Sequence, residues 1–180
     1  MKKLLLILFC LSFSFSGTMY FGYDVDDSEI LTMGYNHTVK HWTCDETGDP
    51  CWILAAGANF DVNSDLMKFA SFYLFPMKPV TKKMSVWMSL GYGFLLDDGG
   101  FENLMDTQLE SQFPGIDSNT ELSTGLTYGL GVHYNLNEKM GFGLGKSVNT
   151  LDLELSAMGV DFDPELDDLE RTNVYFSYKF

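Results

Sequence analysis

Between positions 37 and 51 stand two histidines and two cysteines: His37, His41, Cys44 and Cys51. Imidazole nitrogens and thiolates are ligands that zinc prefers, and four of them would complete a tetrahedral shell. The spacing, H-x3-H-x2-C-x6-C, matches no zinc pattern, and alternation along a strand would carry the histidines away from the thiols. The thiols alone have simpler chemistry. They enclose "DETGDP", whose Gly48 and Pro50 suit a turn. In an oxidising compartment Cys44 and Cys51 are expected to form a disulfide, worth roughly 2–3 kcal/mol for so short a loop. A metal shared with His37 and His41 is the alternative.

His133 is the next residue with chemistry to offer. A general base needs a nucleophile within hydrogen-bond reach, and on a strand the same-face neighbour lies two residues away. In "HYN" that neighbour is Asn135 rather than serine. His133 is therefore expected in an interior hydrogen-bond network, and no catalytic residue is assigned. "GFGLGKS" has Met140 where the first glycine of a phosphate loop belongs. "NHT" at Asn36 fits a glycosylation triplet but falls within a strand. "DFDPELDDLE" is acidic enough to attract Ca2+ or Mg2+, yet it lacks the glycine that turns an EF-hand loop. No cofactor or metal site follows from any of these.

The elements that must position these residues have a period of two. In "MSVWMSLGYGF", Met84, Val86, Met88, Leu90, Tyr92 and Phe94 share one face; Ser85, Trp87, Ser89, Gly91 and Gly93 share the other. "LSTGLTYGLGVHYNL" sets Leu122, Leu126, Tyr128, Leu130, Val132, Tyr134 and Leu136 against glycine, serine, threonine, His133 and Asn135. "WILAAGANFDV" repeats the alternation. With "TMYFGYDV", "EILTMGYN", "LMKFASFYLF", "MGFGLG" and the terminal "NVYFSYKF", the count is eight strands. The second face is small and nearly uncharged where a soluble sheet would carry charge. A large apolar face backed by a small polar one suits a narrow closed barrel with its apolar belt toward lipid. Exposed to water, such a belt would exceed the few hundred Å² that soluble monomers tolerate.

The amino terminus points the same way. "MKKLLLILFCLSFSFSG" has the charged, apolar and small-residue regions of a secretory signal peptide, so residues 1–17 are expected to be removed and residues 18–180 to form the barrel domain. Taking away Lys2 and Lys3 leaves 9 of the 11 basic residues against 25 acidic ones, a net charge of −16 in place of −14. So acidic a chain is unsuited to nucleic acid.

Eight strands put both ends of the chain on one side, which export from within makes the periplasmic side. "PMKPVTKK" and "NLNEK" become short turns there. The long connections 95–121 and 152–170, acidic and without a single lysine or arginine, become outer loops. Phe75, Tyr134, Phe142, Tyr178 and Phe180 fall near the periplasmic strand ends as an aromatic girdle. Two places resist. The connection around "VKHWTCDETGDPC" is long for a periplasmic turn. Lys146 falls on the lipid face unless a bulge near "KSVN" flips the register.

Together these features resemble the small OmpA/OmpX-type outer-membrane β-barrels of Gram-negative bacteria. The likeness spans the mature chain and implies an all-β, eight-stranded antiparallel up-and-down transmembrane barrel, integral to the bacterial outer membrane. In that family a terminal aromatic, with another two residues before it, resembles the signal read by the barrel-assembly machinery. Tyr178 and Phe180 match those places, whereas Tyr175 stands where the fuller pattern often has glycine. The implied partners are outer-membrane lipid, lipopolysaccharide and that machinery, with a surface partner for the acidic loops; the implied state is a monomer. Eight strands leave a lumen filled by side chains, so a structural or surface role without an open pore is expected. The rivals are a lipid-modifying barrel enzyme and a soluble lipocalin-type carrier, the latter needing the two faces reversed.

Overall fold

The computed structural model describes residues 17–25, 30–44, 50–63, 67–115, 118–157, 160–164 and 166–180. The expected signal peptide, apart from Gly17, lies outside them. The strands are β1 (Thr18–Asp24), β2 (Ile30–Thr43), β3 (Pro50–Asn63), β4 (Lys68–Pro79), β5 (Met84–Asp97), β6 (Ser118–Asn135), β7 (Met140–Ala157), β8 (Val160–Phe162) and β9 (Leu169–Lys179), with one helix, α1 (Phe101–Gln112). Each of β1 to β7 pairs antiparallel with the next, β7 pairs with β9, and β9 returns to β1. The ring therefore has eight strands and no free edge. The three-residue β8 forms a hairpin on the far end of β7, outside the ring.

The faces fall as the alternation requires. Leu90 is 57% exposed, Leu126 47% and Phe176 41%, all on the exterior, while Ser85, Ser71, Thr127 and Ser177 on the inner parity are buried. A soluble carrier with an apolar lumen and a polar coat is thus not what this chain builds. No described helix is long and apolar enough to cross a membrane.

The register in β6 departs from simple alternation. A bulge between Thr124 and Thr127 faces the Asn149–Leu151 stretch of β7 and flips the outer end of β6. Leu122, expected toward lipid, is consequently buried and pairs with the equally buried Leu153. The extra residue is on β6, opposite the end of "KSVN", so the parity of β7 is unchanged and Lys146 stays on the exterior. There it forms an ion pair with Glu170, which stands nearer the outer end of the neighbouring strand. A long lysine stem reaching toward an interfacial carboxylate is how such a charge is accommodated on a lipid face.

The two long connections contain more structure than expected. Part of the second, 152–157, continues β7, and the first holds α1. Asp98 starts that helix by accepting hydrogen bonds from the amides of Gly100 (3.1 Å) and Glu102 (2.9 Å). The Glu102 carboxylate accepts from the Leu122 amide at 2.8 Å, and Thr120 donates to Asp106 at 2.7 Å, so the helix docks on the outer extension of β6. Nearby, Lys68 and Asp97 form an ion pair at the loop end. The Lys68 ammonium, followed by the Gly99 amide, holds the Asp97 carboxyl below the ordinary carboxylate range.

The lumen is not filled by small groups alone. Tyr20, Tyr73, Phe75, Trp87 and Tyr175 occupy its middle, each within ring contact or hydrogen-bond reach of another. Phe75 therefore belongs to the interior and not to the girdle. Glycines on other strands make room for these rings: a Cβ at Gly145 would collide with Trp87, and one at Gly143 with Tyr175. Gly145→Ala is expected to destabilise the barrel by about 1–3 kcal/mol through overpacking. Urea unfolding in phospholipid vesicles measures this, and most of the cost should vanish in a Trp87→Leu background.

Candidate functional site

At the end that carries the chain terminus, β2 and β3 run past their neighbours as a hairpin. Cys44 and Cys51 are joined by a disulfide across its tip, with Cα atoms 5.6 Å apart. A bulge between Thr38 and Lys40 changes the facing of β2 along the hairpin. His37, opposite Ala56, lies on the outer face, whereas His41, opposite Ile53, lies on the inner. The structure thus separates the two histidines from each other and commits both thiols to a covalent bond. Among the described residues no cluster of three metal-ligating side chains occurs.

The same bulge brings Trp42 opposite Trp52 on the exterior. Lys40 lies over the Trp42 ring at 5.0 Å and Lys78 over Trp52 at 5.6 Å. With Tyr134, Phe142 and Phe180 they form the aromatic zone at this end, which amphipathic rings favour at a membrane boundary. Tyr178 and Phe180 are in edge-to-face contact at 5.2 Å. The Phe180 amide donates to the Gly17 carbonyl at 3.0 Å and the Lys179 amide to Lys139 at 2.7 Å, so the final strand is held from both sides.

Inside the barrel, His133 has the hydroxyl partner that its own strand lacked. Its Nε2 lies 2.8 Å from Ser177 Oγ on β9, reaching across β7 where Gly141 has no side chain to block it. The imidazole also stacks on Tyr175, with ring centres 6.0 Å apart and planes 9° apart. Ser177 belongs to the inner face of the terminal strand, but its meeting with His133 depends on ring closure and could not be read along either strand. A histidine–serine pair is a proton-transfer unit, though this serine is only 3% exposed.

Toward the loop end the lumen holds a buried charged cluster. Arg171, the single arginine of the chain, lies 3.0 Å from Asp61, and the two are 2% and 1% exposed. Asp61 also accepts from Thr32 at 2.7 Å and from Asn59 at 3.0 Å, and the guanidinium sits 5.7 Å from the centre of the Phe69 ring. Asp24, equally buried, accepts from the Thr172 amide at 3.3 Å. A charge with these hydrogen bonds can sit in a narrow lumen, and the buried cluster occupies it toward the loop end. Sequence reasoning missed this cluster, although Arg171 shares the inner parity of Asn173, Tyr175 and Ser177. Below it lies a cavity of about 160 Å³ bounded by the aromatic rings, and then a wider mouth of about 590 Å³ at the turn end.

No family model matches the chain, and neither does any curated protein. Among solved structures, a designed transmembrane β-barrel aligns with 92% of this chain and 93% of its own at 12% identity, with a TM-score of 0.46. The Neisserial surface protein A (NspA) aligns with 92% of this chain and 94% of its own, also at 12% identity, with a TM-score of 0.41. It is the pairing of β9 with β1 that establishes the barrel.

Proposed function

We propose that the chain is a small bacterial outer-membrane barrel, similar to the OmpA/OmpX type, with a structural or surface-interaction role. The observation that carries this is the continuous apolar exterior around a closed ring. Such a surface needs hydrocarbon, and closure leaves no strand edge for hydrocarbon to penalise. Export by a signal peptide over residues 1–17 and recognition of Tyr178 and Phe180 by the barrel-assembly machinery complete the route. Its surroundings are outer-membrane lipid and lipopolysaccharide, and it acts as a monomer. The acidic outer loops, with α1 between β5 and β6, are the part available to a surface partner; nucleic acid is not among the candidates. The buried Asp61–Arg171 cluster supports a role other than general diffusion.

Fractionation tests this reading. The protein should stay with the outer membrane and should migrate differently on a denaturing gel when left unheated. Recovery in the soluble periplasm would overturn the proposal. A second reading, a lipid-modifying enzyme, is favoured by the contact of His133 with Ser177. It requires lipid hydrolysis or acyl transfer in detergent that is lost in both His133→Ala and Ser177→Ala.

A further inference from the structure

The lumen is a cup rather than a tube. At its inner end stands the buried Asp61–Arg171 cluster, and its mouth is at the turn end. The inner cavity and the mouth share Thr18, Thr38, Met77, His133 and Ser177 as wall residues, so the two lie end to end. The inner part is ringed by Phe75, Trp87 and Tyr175 and has a volume of about 160 Å³. That is close to the roughly 150 Å³ of an engineered cavity able to hold benzene. The mouth, at about 590 Å³, is in the range of small-molecule sites.

Charge distinguishes this mouth from the rest of the molecule. Lys82, Lys139 and Lys179 line it against one carboxylate, Glu138. In a chain of net charge −14 that is a local reversal, and it is built from three separate segments that only the closed ring brings together. A cationic rim above an aromatic-walled chamber is complementary to one kind of molecule.

We propose that the cup binds a small organic anion with a slim apolar body, of the aryl or short-chain alkyl carboxylate class. The ligand comes in from the turn end, its carboxylate at the lysines and its body against Phe75, Trp87 and Tyr175. His133 and Ser177, at the junction, supply polar groups between head and body. This holds whichever membrane contains the barrel, and therefore stands or falls separately from the localisation proposed above.

The test uses the full barrel in phospholipid nanodiscs and two-dimensional NMR of its indole N–H groups, with Trp87→Phe to assign the Trp87 signal. Benzoate is the probe and benzyl alcohol its neutral control. A saturable benzoate-dependent shift of the Trp87 signal is expected, with benzyl alcohol binding at least about tenfold more weakly. The triple variant Lys82→Gln/Lys139→Gln/Lys179→Gln changes exposed side chains only, and its unheated gel migration should match the parent. It should weaken benzoate about tenfold and leave benzyl alcohol unchanged. Three results would each overturn the proposal: no saturable shift with benzoate, equal binding of the alcohol, or parental benzoate affinity in the triple variant. Shifts confined to Trp42 and Trp52 would also overturn it, since they place benzoate at the membrane boundary instead of in the lumen.

Discussion

Arg171→Met is expected to destabilise the barrel by about 3–5 kcal/mol, because it leaves the Asp61 carboxylate buried without its counter-charge. Asp61 is 1% exposed, and its remaining donors, Thr32 and Asn59, are neutral. Those hydrogen bonds offset only part of the desolvation of a full charge. The double variant Asp61→Asn/Arg171→Met should recover most of the loss. The asparagine oxygen can still accept from Thr32, and no charge is left buried from the pair. Urea titration in phospholipid vesicles supplies the free energies, and the temperature at which gel migration changes gives a second readout. A single-variant cost below about 1 kcal/mol, typical of an exposed pair, would show that water reaches this cluster and that the lumen is not closed there.

The second large effect concerns the exterior. Leu90 pairs across the sheet with Leu74 and Tyr128, and all three project outward. Leu90→Arg places a charge amid that row and is expected to cost about 2–4 kcal/mol in a bilayer. On a soluble protein the same change at an exposed leucine would be nearly neutral. The measurement is again unfolding in vesicles, repeated in bilayers of thinner hydrocarbon, where the penalty should shrink as the guanidinium comes closer to water. Indifference to the arginine would mean that this face does not meet hydrocarbon. Lys146 does not contradict the expectation, since its ammonium is paired with Glu170 toward the outer end.

Much of the barrel was legible along the chain because a strand's side-chain period is independent of what surrounds it. The alternation in β5 names the outer and inner residues correctly, and the turns at 79–83 and 136–139 join the strands it requires. Failures came where a local event shifts parity. The bulge in β6 reversed Leu122, and the bulge in β2 parted His37 from His41. Position near a strand end suggests the girdle for Phe75, whereas the parity of Ser71 and Tyr73 sends it inward. The helix α1 carried a readable signal in Phe101, Leu104, Met105 and Leu109, at helical spacing. The acidic residues around them read as loop and mask that signal.

What the sequence alone determined was the identity of the two faces, the number of ring strands and the turn end of the barrel as the one at which the chain terminus lies. Each of these is a property of one strand, or of strand order, and follows from alternation and parity. The tertiary structure alone decided which inner residues meet. His133 finds Ser177, Asp61 finds Arg171, three lysines gather at one mouth, and Trp87 settles over Gly145. Each of those contacts joins strands distant in the chain. Register, shear and ring closure set the separations across the lumen, and none of the three is encoded in the period of any single strand.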